Sequence, residues 1–170
     1  AHENDILVIF DEILSGFRTG VSCAQGYYGV TPDIALIGKA LSNGVPLSAI
    51  VGKEDCMAKI TDKNLPAVHG GTFSGNLLGV SAALASLDIM RQPDFYPDLL
   101  STARYFFEKL QEVFDASPVP ARVQDLGSNF FIYFGTREPV TRYQQFDTLD
   151  WSMMKKFIRA CINQGLYFHT

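Results

Sequence analysis

At about 150 residues per domain, a chain of this length, 170 residues, fits one domain or one and a part. Hydrophobic residues make up 47% and charged residues 19%, a globular balance that excludes a disordered chain. Fourteen Lys and Arg against 18 Asp and Glu leave a net charge of −4, so no basic field exists to hold a nucleic-acid backbone. The longest solid apolar run, Ile6–Phe10, is far too short for a membrane span. Cys23, Cys56 and Cys161 are widely spaced and odd in number. They fit neither a disulfide framework nor a zinc site and suit a reducing, cytoplasmic setting.

The chain enters its first apolar run within a few residues of Ala1. It stops at Gly165–Thr170, which reads as a helix stop followed by a strand just beginning. A chain that starts and stops inside structural units is expected to be a piece of something larger. Ile6–Phe10 is β-branched and aromatic and predicts a strand buried on both faces, as in a parallel sheet, with Asp11 and Glu12 at its C-terminal end. Open α/β sheets bind their ligands at that edge. Residues 15–29 are glycine-rich and read as an irregular loop. Ile34–Ile37 predicts a second strand ending at Gly38-Lys39, and Asn43-Gly44 marks a turn. Leu47–Val51 is a third short strand closed by Gly52.

Then the period changes. Lys53–Ile60 predicts a short helix, His69–Asn76 a glycine-rich loop, and the Ala- and Leu-packed Leu77–Met90 a long helix. A second long helix spans Asp98–Phe114, where Leu99, Ala103, Phe106, Phe107, Leu110 and Phe114 make one apolar face. Strands near Arg122–Asp125 and Asn129–Phe134 follow, with Gly127-Ser128 between them. The aromatic residues at 105–107 and 130–134 read as core. Asp150 caps a last helix that Gly165 stops. These elements give an α/β fold with two parts, 1–116 and 117–170.

Three chemical features stand at strand ends or among glycines: Asp11-Glu12, Lys39 and Thr72. A lysine beside a low-dielectric strand end loses its proton more easily and can form a Schiff base with an aldehyde. A buried carboxylate can keep a pyridine nitrogen protonated, which makes the ring an electron sink. Backbone N–H groups and a hydroxyl in a glycine loop can bind a phosphate. An aldehyde, a pyridine and a phosphate together describe pyridoxal phosphate.

Ile9–Arg18 resembles the Asp-Glu motif of the class III aminotransferases, Gly29–Ile34 leading to Gly38-Lys39 their Schiff-base lysine segment, and Gly71–Asn76 their phosphate-contacting loop. Within the class, Gly16–Arg18, Ala24–Gly29 and Gly127–Phe131 are most similar to the glutamate-1-semialdehyde 2,1-aminomutase group. The omega-amino-acid transaminases usually carry an extra glycine before that arginine. The resemblance implies a partial fold-type I enzyme. Residues 1–116 would belong to its large domain, with a mixed, mainly parallel sheet, and 117–170 to its small α+β domain. It implies pyridoxal 5'-phosphate as cofactor, a small-molecule amino donor and acceptor, and a homodimer in the full-length form. Asp11 would pair with the pyridine nitrogen and Ile13 would pack on a ring face. Lys39 would form the Schiff base and then shuttle the proton, and Thr72 would bind the phosphate of the neighbouring subunit's cofactor.

The sequence departs from the family pattern at Ser42-Asn43-Gly44, where a longer glycine run is usual, and at Leu77, where Pro is usual. Family members are well over twice this length, so an aromatic residue stacked on the ring and a second phosphate loop are expected from outside these residues. Two rival readings are another class III aminotransferase, acting on amino acids or omega-amines or serving a biosynthetic assembly line, and a catalytically inactive truncated remnant. His69 reads as a turn or interface residue.

Overall fold

A computed structural model describes residues 1–167. The strand expected beyond Gly165 falls largely on 168–170, outside the described residues. The chain divides into two compact units, Ala1–Asp98 and a second that starts at Leu99.

In the first unit, β1 (Ile9–Glu12), β2 (Ile34–Ile37) and β3 (Ala49–Gly52) form one sheet in the order β1-β2-β3. β1 and β2 run parallel with Ile9 beside Ile34 and Glu12 beside Ile37, whereas β2 and β3 run antiparallel with Ile34 beside Gly52. This sheet is therefore mixed, as expected, with one pairing of each kind. The connection from β2 to β3 is too short for a parallel crossover. It reverses through a 3₁₀ turn at Lys39–Leu41 and the left-handed pair Asn43-Gly44, at φ 46° and 108°.

The first strand differs from expectation. β1 starts at Ile9, three residues later than read, and Ile6, Leu7 and Ile9 are exposed. The physical reason is Asp33. Its carboxylate accepts from Val8 N at 2.7 Å, and Val8 O accepts from Asp33 N at 2.8 Å and Ile34 N at 3.3 Å, so the chain before Ile9 is tied to a turn rather than to a ladder. The same carboxylate takes Lys53 Nζ at 2.7 Å and His2 Nε2 at 2.9 Å. It thus ties the start of β2 to the entry of β1 and the exit of β3.

Smaller differences follow. The loop at 15–29 contains α1 (Cys23–Tyr28), and β3 is shifted two residues beyond the Leu47 start read from sequence. The helix expected over Lys53–Ile60 is split into α2 (Glu54–Met57) and a 3₁₀ turn at Ala58–Thr61. α3 (Leu77–Met90) has the expected limits, and the Asn76 side chain caps it by accepting from Gly79 N at 2.7 Å. Gly79, Ala83 and Met90 are its buried residues, while Leu77, Leu78, Leu84 and Ile89 are exposed. The core of this unit gathers Phe17, Cys23, Leu41, Ala83 and Met90, with Ile37, Leu47, Leu87 and Phe95 packed on it.

α4 (Phe95–Asp115) starts three residues before the expected Asp98. Pro97 lies in its first turn, where the missing N–H breaks no helical bond. Its later turns carry Phe107 and Phe114 into a core with Ala121, Val123, Ile132, Phe134 and Met154. That is why the division lies at Asp98 and not near residue 116. Tyr105 and Phe106 face outward, so of the 105–107 stripe only Phe107 is core. The two strands expected there, β4 (Ala121–Leu126) and β5 (Asn129–Phe134), pair as an antiparallel hairpin in register from Ala121–Phe134 to Leu126–Asn129. α5 (Trp151–Asn163) is capped by Asp150, which accepts from Met153 N at 2.9 Å. It closes at Gly165, whose φ of 80° is one that glycine adopts without strain.

Candidate active site

Because β1 and β2 are parallel, their C-terminal ends share one edge of the sheet. Asp11 and Glu12 end β1, and Gly38-Lys39 follow β2 directly. At that edge Gly38 lets the two ends close together. A Cβ there would lie 3.3 Å from Ile13 Cδ1 and 3.5 Å from Ser48 Cβ, so Ile13 lies against the residue before the lysine.

Lys39 adopts φ 43°, a left-handed conformation that is uncommon and costly for a side-chain-bearing residue. Its neighbours hold it there. Leu41 N donates to Gly38 O at 3.0 Å and Asn43 N to Lys39 O at 3.1 Å, while the Leu41 side chain is buried in the core. Buried Ser42 donates its hydroxyl to Val45 O. The Lys39 side chain is exposed and, among the described residues, no hydrogen bond or ion pair engages its amine. The low-dielectric surroundings expected for this lysine are therefore not those it has.

An open cavity of about 900 Å³ lies at this edge. Ile13, Lys39 and Thr72 all line it, together with Ser48, His69 and the loop Gly71–Asn76. That loop is closed by Ser74 N donating to Gly71 O at 3.0 Å and Asn76 N to Phe73 O at 3.2 Å, with Gly75 at φ 67°. Among the described residues, no Asp or Glu stands on the cavity wall. Thr72 and Lys39 share this cavity within one chain, and His69 lines it as well.

Asp11 does not line the cavity. It is exposed, and its Oδ1 accepts from Ile13 N at 3.1 Å. The buried carboxylate of the pair is Glu12, not Asp11. The described residues hold no group of three His, Cys, Asp or Glu that could bind a metal ion. An unpaired amine, a hydroxyl-bearing glycine loop and an acid-free wall do fit a phosphorylated aldehyde.

The family model for aminotransferase class-III matches residues 1–170. The chain belongs to the class III aminotransferases. This is a family that uses pyridoxal phosphate. A curated relative, glutamate-1-semialdehyde 2,1-aminomutase of Legionella pneumophila (strain Lens), is 36% identical over 162 residues, covering 95% of this chain and 38% of the relative. Among solved structures, an omega-transaminase from Sphaerobacter thermophilus is similar with TM-score 0.82 and 26% identity, over 98% of this chain and 38% of that one. A glutamate-1-semialdehyde aminomutase from Pseudomonas aeruginosa PAO1, in complex with PMP, shares the fold with TM-score 0.80 at 21% identity, over 98% of this chain and 39% of that one. The class III chain described here thus spans 38% of the length of the curated relative. None of its described helices is long and apolar enough to cross a membrane.

Proposed function

We propose that this chain supplies the cofactor-lysine part of a pyridoxal-phosphate-dependent amino-transfer site, of the glutamate-1-semialdehyde 2,1-aminomutase kind. One observation carries the reading: Lys39, strained and unpaired, lines the same cavity as the Thr72 glycine loop. When bound, pyridoxal phosphate supplies an aldehyde that takes up amines and a ring that accepts the electrons of a broken C–H bond. Lys39 Nζ would hold the cofactor, and once free it would carry a proton to or from the substrate carbon. The Thr72 hydroxyl and the backbone N–H groups beside Gly71 and Gly75 would bind the phosphate. Ile13 would cover a ring face, and Asp11 would hold the proton on the ring nitrogen from its place two residues away. The substrate would be a small amino compound, and the working form a homodimer.

A second reading, a transaminase that exchanges the amino group between two molecules, is favoured by the similarity to the omega-transaminase. Turnover of a single labelled semialdehyde without an added amino acceptor separates the two.

The test of the site needs no turnover. The chain is mixed with pyridoxal phosphate, reduced with borohydride and digested. The tag is expected on Lys39, and the Lys39→Ala variant is expected to lose it. A tag that falls mainly on Lys53 or Lys59 overturns the assignment. Binding is expected to be weak and removable by dialysis, because the wall is open on the side that a longer family member would cover.

A further inference from the structure

Glu12 stands between the two residues assigned to the cofactor ring, yet it touches neither the cavity nor solvent. It is 1% exposed. Its Oε2 accepts from Ala24 N at 2.7 Å, in the first turn of α1. The residue at the usual capping position, Ser22, makes no side-chain bond to that turn, so Glu12 does the capping from a distant strand. Its Oε1 is fully buried and has no partner.

The main chain of Glu12 holds the same loop at a second point. Gly16 N donates to Glu12 O at 2.9 Å, and a Cβ on Gly16 would lie only 2.6 Å from that oxygen. Between the two anchors the loop is closely determined. Phe17 is buried at φ 62°, its N–H donates to Cys23 Sγ at 3.3 Å, and its carbonyl accepts from Tyr96 Oη at 3.2 Å. Burial pushes the Cys23 thiol up, the Phe17 bond opposes this, and the charge of Glu12 adds to the rise.

A carboxylate with one oxygen desolvated and unpaired is a costly cap for a six-residue helix. A capping bond made by Ser22 itself would bury no charge. What Glu12 adds is a link between the loop and the last residues of β1. Ile13, the next residue, lines the cavity, and Asp11 before it bonds to Ile13 N.

We propose that Glu12 is a positioning residue. By fastening α1 and the Ile13–Ser22 loop to the end of β1, it holds Ile13 and Asp11 where they serve the cofactor ring. This rests on the reading of the cavity as a pyridoxal-phosphate site.

Glu12→Met keeps the length and bulk of the side chain but removes the acceptor, and Glu12→Gln keeps an oxygen for Ala24 N. Amide hydrogen exchange on the chain without cofactor is the first readout. Glu12→Met is expected to speed exchange at Ala24 and through the loop by roughly tenfold to a hundredfold, the loss of one bond to a charged acceptor. Exchange at Ala35, Leu36 and through α3 should not change, and Glu12→Gln should restore the parent rates. No acceleration, or equal acceleration across the whole first unit, overturns the proposal. The second readout is the visible absorbance of added pyridoxal phosphate. Its band is expected to shift in Glu12→Met and return in Glu12→Gln, while borohydride still tags Lys39 in all three. An unchanged band beside a loosened loop makes Glu12 a merely structural cap and also overturns the proposal. A parent that fails to tag Lys39 identifies the separate failure of the cofactor reading.

Discussion

Ile132→Ala tests the packing of the second unit where it is densest. Ile132 is 1% exposed, lies opposite Val123 in the hairpin, and sits in the core formed with Phe107, Phe114, Phe134 and Met154. Truncation at Cβ forfeits about 2–2.5 kcal/mol of transfer energy at about 0.8 kcal/mol per buried CH₂. A cavity adds to this when the surroundings do not collapse, and buried Ile-to-Ala changes cost about 2–5 kcal/mol in all. Collapse is opposed here by a cluster of rings. Phe114 and Phe134 are 5.6 Å apart, Phe134 and Phe157 5.4 Å, and Phe114 and Phe157 5.9 Å. We therefore expect about 3–4 kcal/mol. The chain contains one Trp, Trp151, whose indole N–H donates to Phe146 O at 3.0 Å, so its fluorescence reports this unit alone. In urea, where small proteins show slopes of about 1–3 kcal/mol per molar, the midpoint should fall by about 1–4 M. Ile132→Val should cost about 0.5–1.5 kcal/mol, and Val113→Ala, at an exposed position of α4, less than about 0.5 kcal/mol. A loss below about 1 kcal/mol for Ile132→Ala at unchanged slope would refute the packing argument, because neither the transfer loss nor the cavity would then be present.

Two further outcomes are expected. Lys53 Nζ, then Val8 N and His2, hold the Asp33 carboxyl well below the usual carboxylate range. Its contribution is present above the unfolded value near about pH 4 and is lost as pH falls from there toward the depressed folded value. Asp33→Asn should thus be less stable than the parent at neutral pH, with the gap closing in acid below about pH 4; a gap of constant size from neutral pH into strong acid would mean that the charge does not matter. Because Lys39 and Thr72 line one cavity within one chain, mixing Lys39→Ala and Thr72→Ala copies of the full-length protein is expected to restore no amino-transfer activity despite confirmed subunit exchange; partial rescue would assign Thr72 to the neighbouring subunit's cofactor.

Much of this protein is set by local sequence. α3 and α5 follow from helical period and from the caps Asn76 and Asp150, whose side-chain bonds need only neighbouring backbone. β2 and the β4–β5 hairpin follow from short β-branched or aromatic runs bounded by turns. Lys39 and Thr72 stood out in the sequence because glycines mark where a backbone must come close or turn sharply, whereas Ile13 entered only through the resemblance to the family. What depends on distant partners was not legible. The late start of β1 comes from Asp33, 25 residues beyond Val8. The antiparallel return of β3 and the allotment of the later turns of α4 to the second core depend on which surfaces meet. Sequence could place Asp11 and Glu12 together at a strand end, and it could not say which would be buried. Alternation along a strand sends neighbouring side chains to opposite faces, and only tertiary packing decides which face the loop and α1 will cover. It covered Glu12 and left Asp11 exposed.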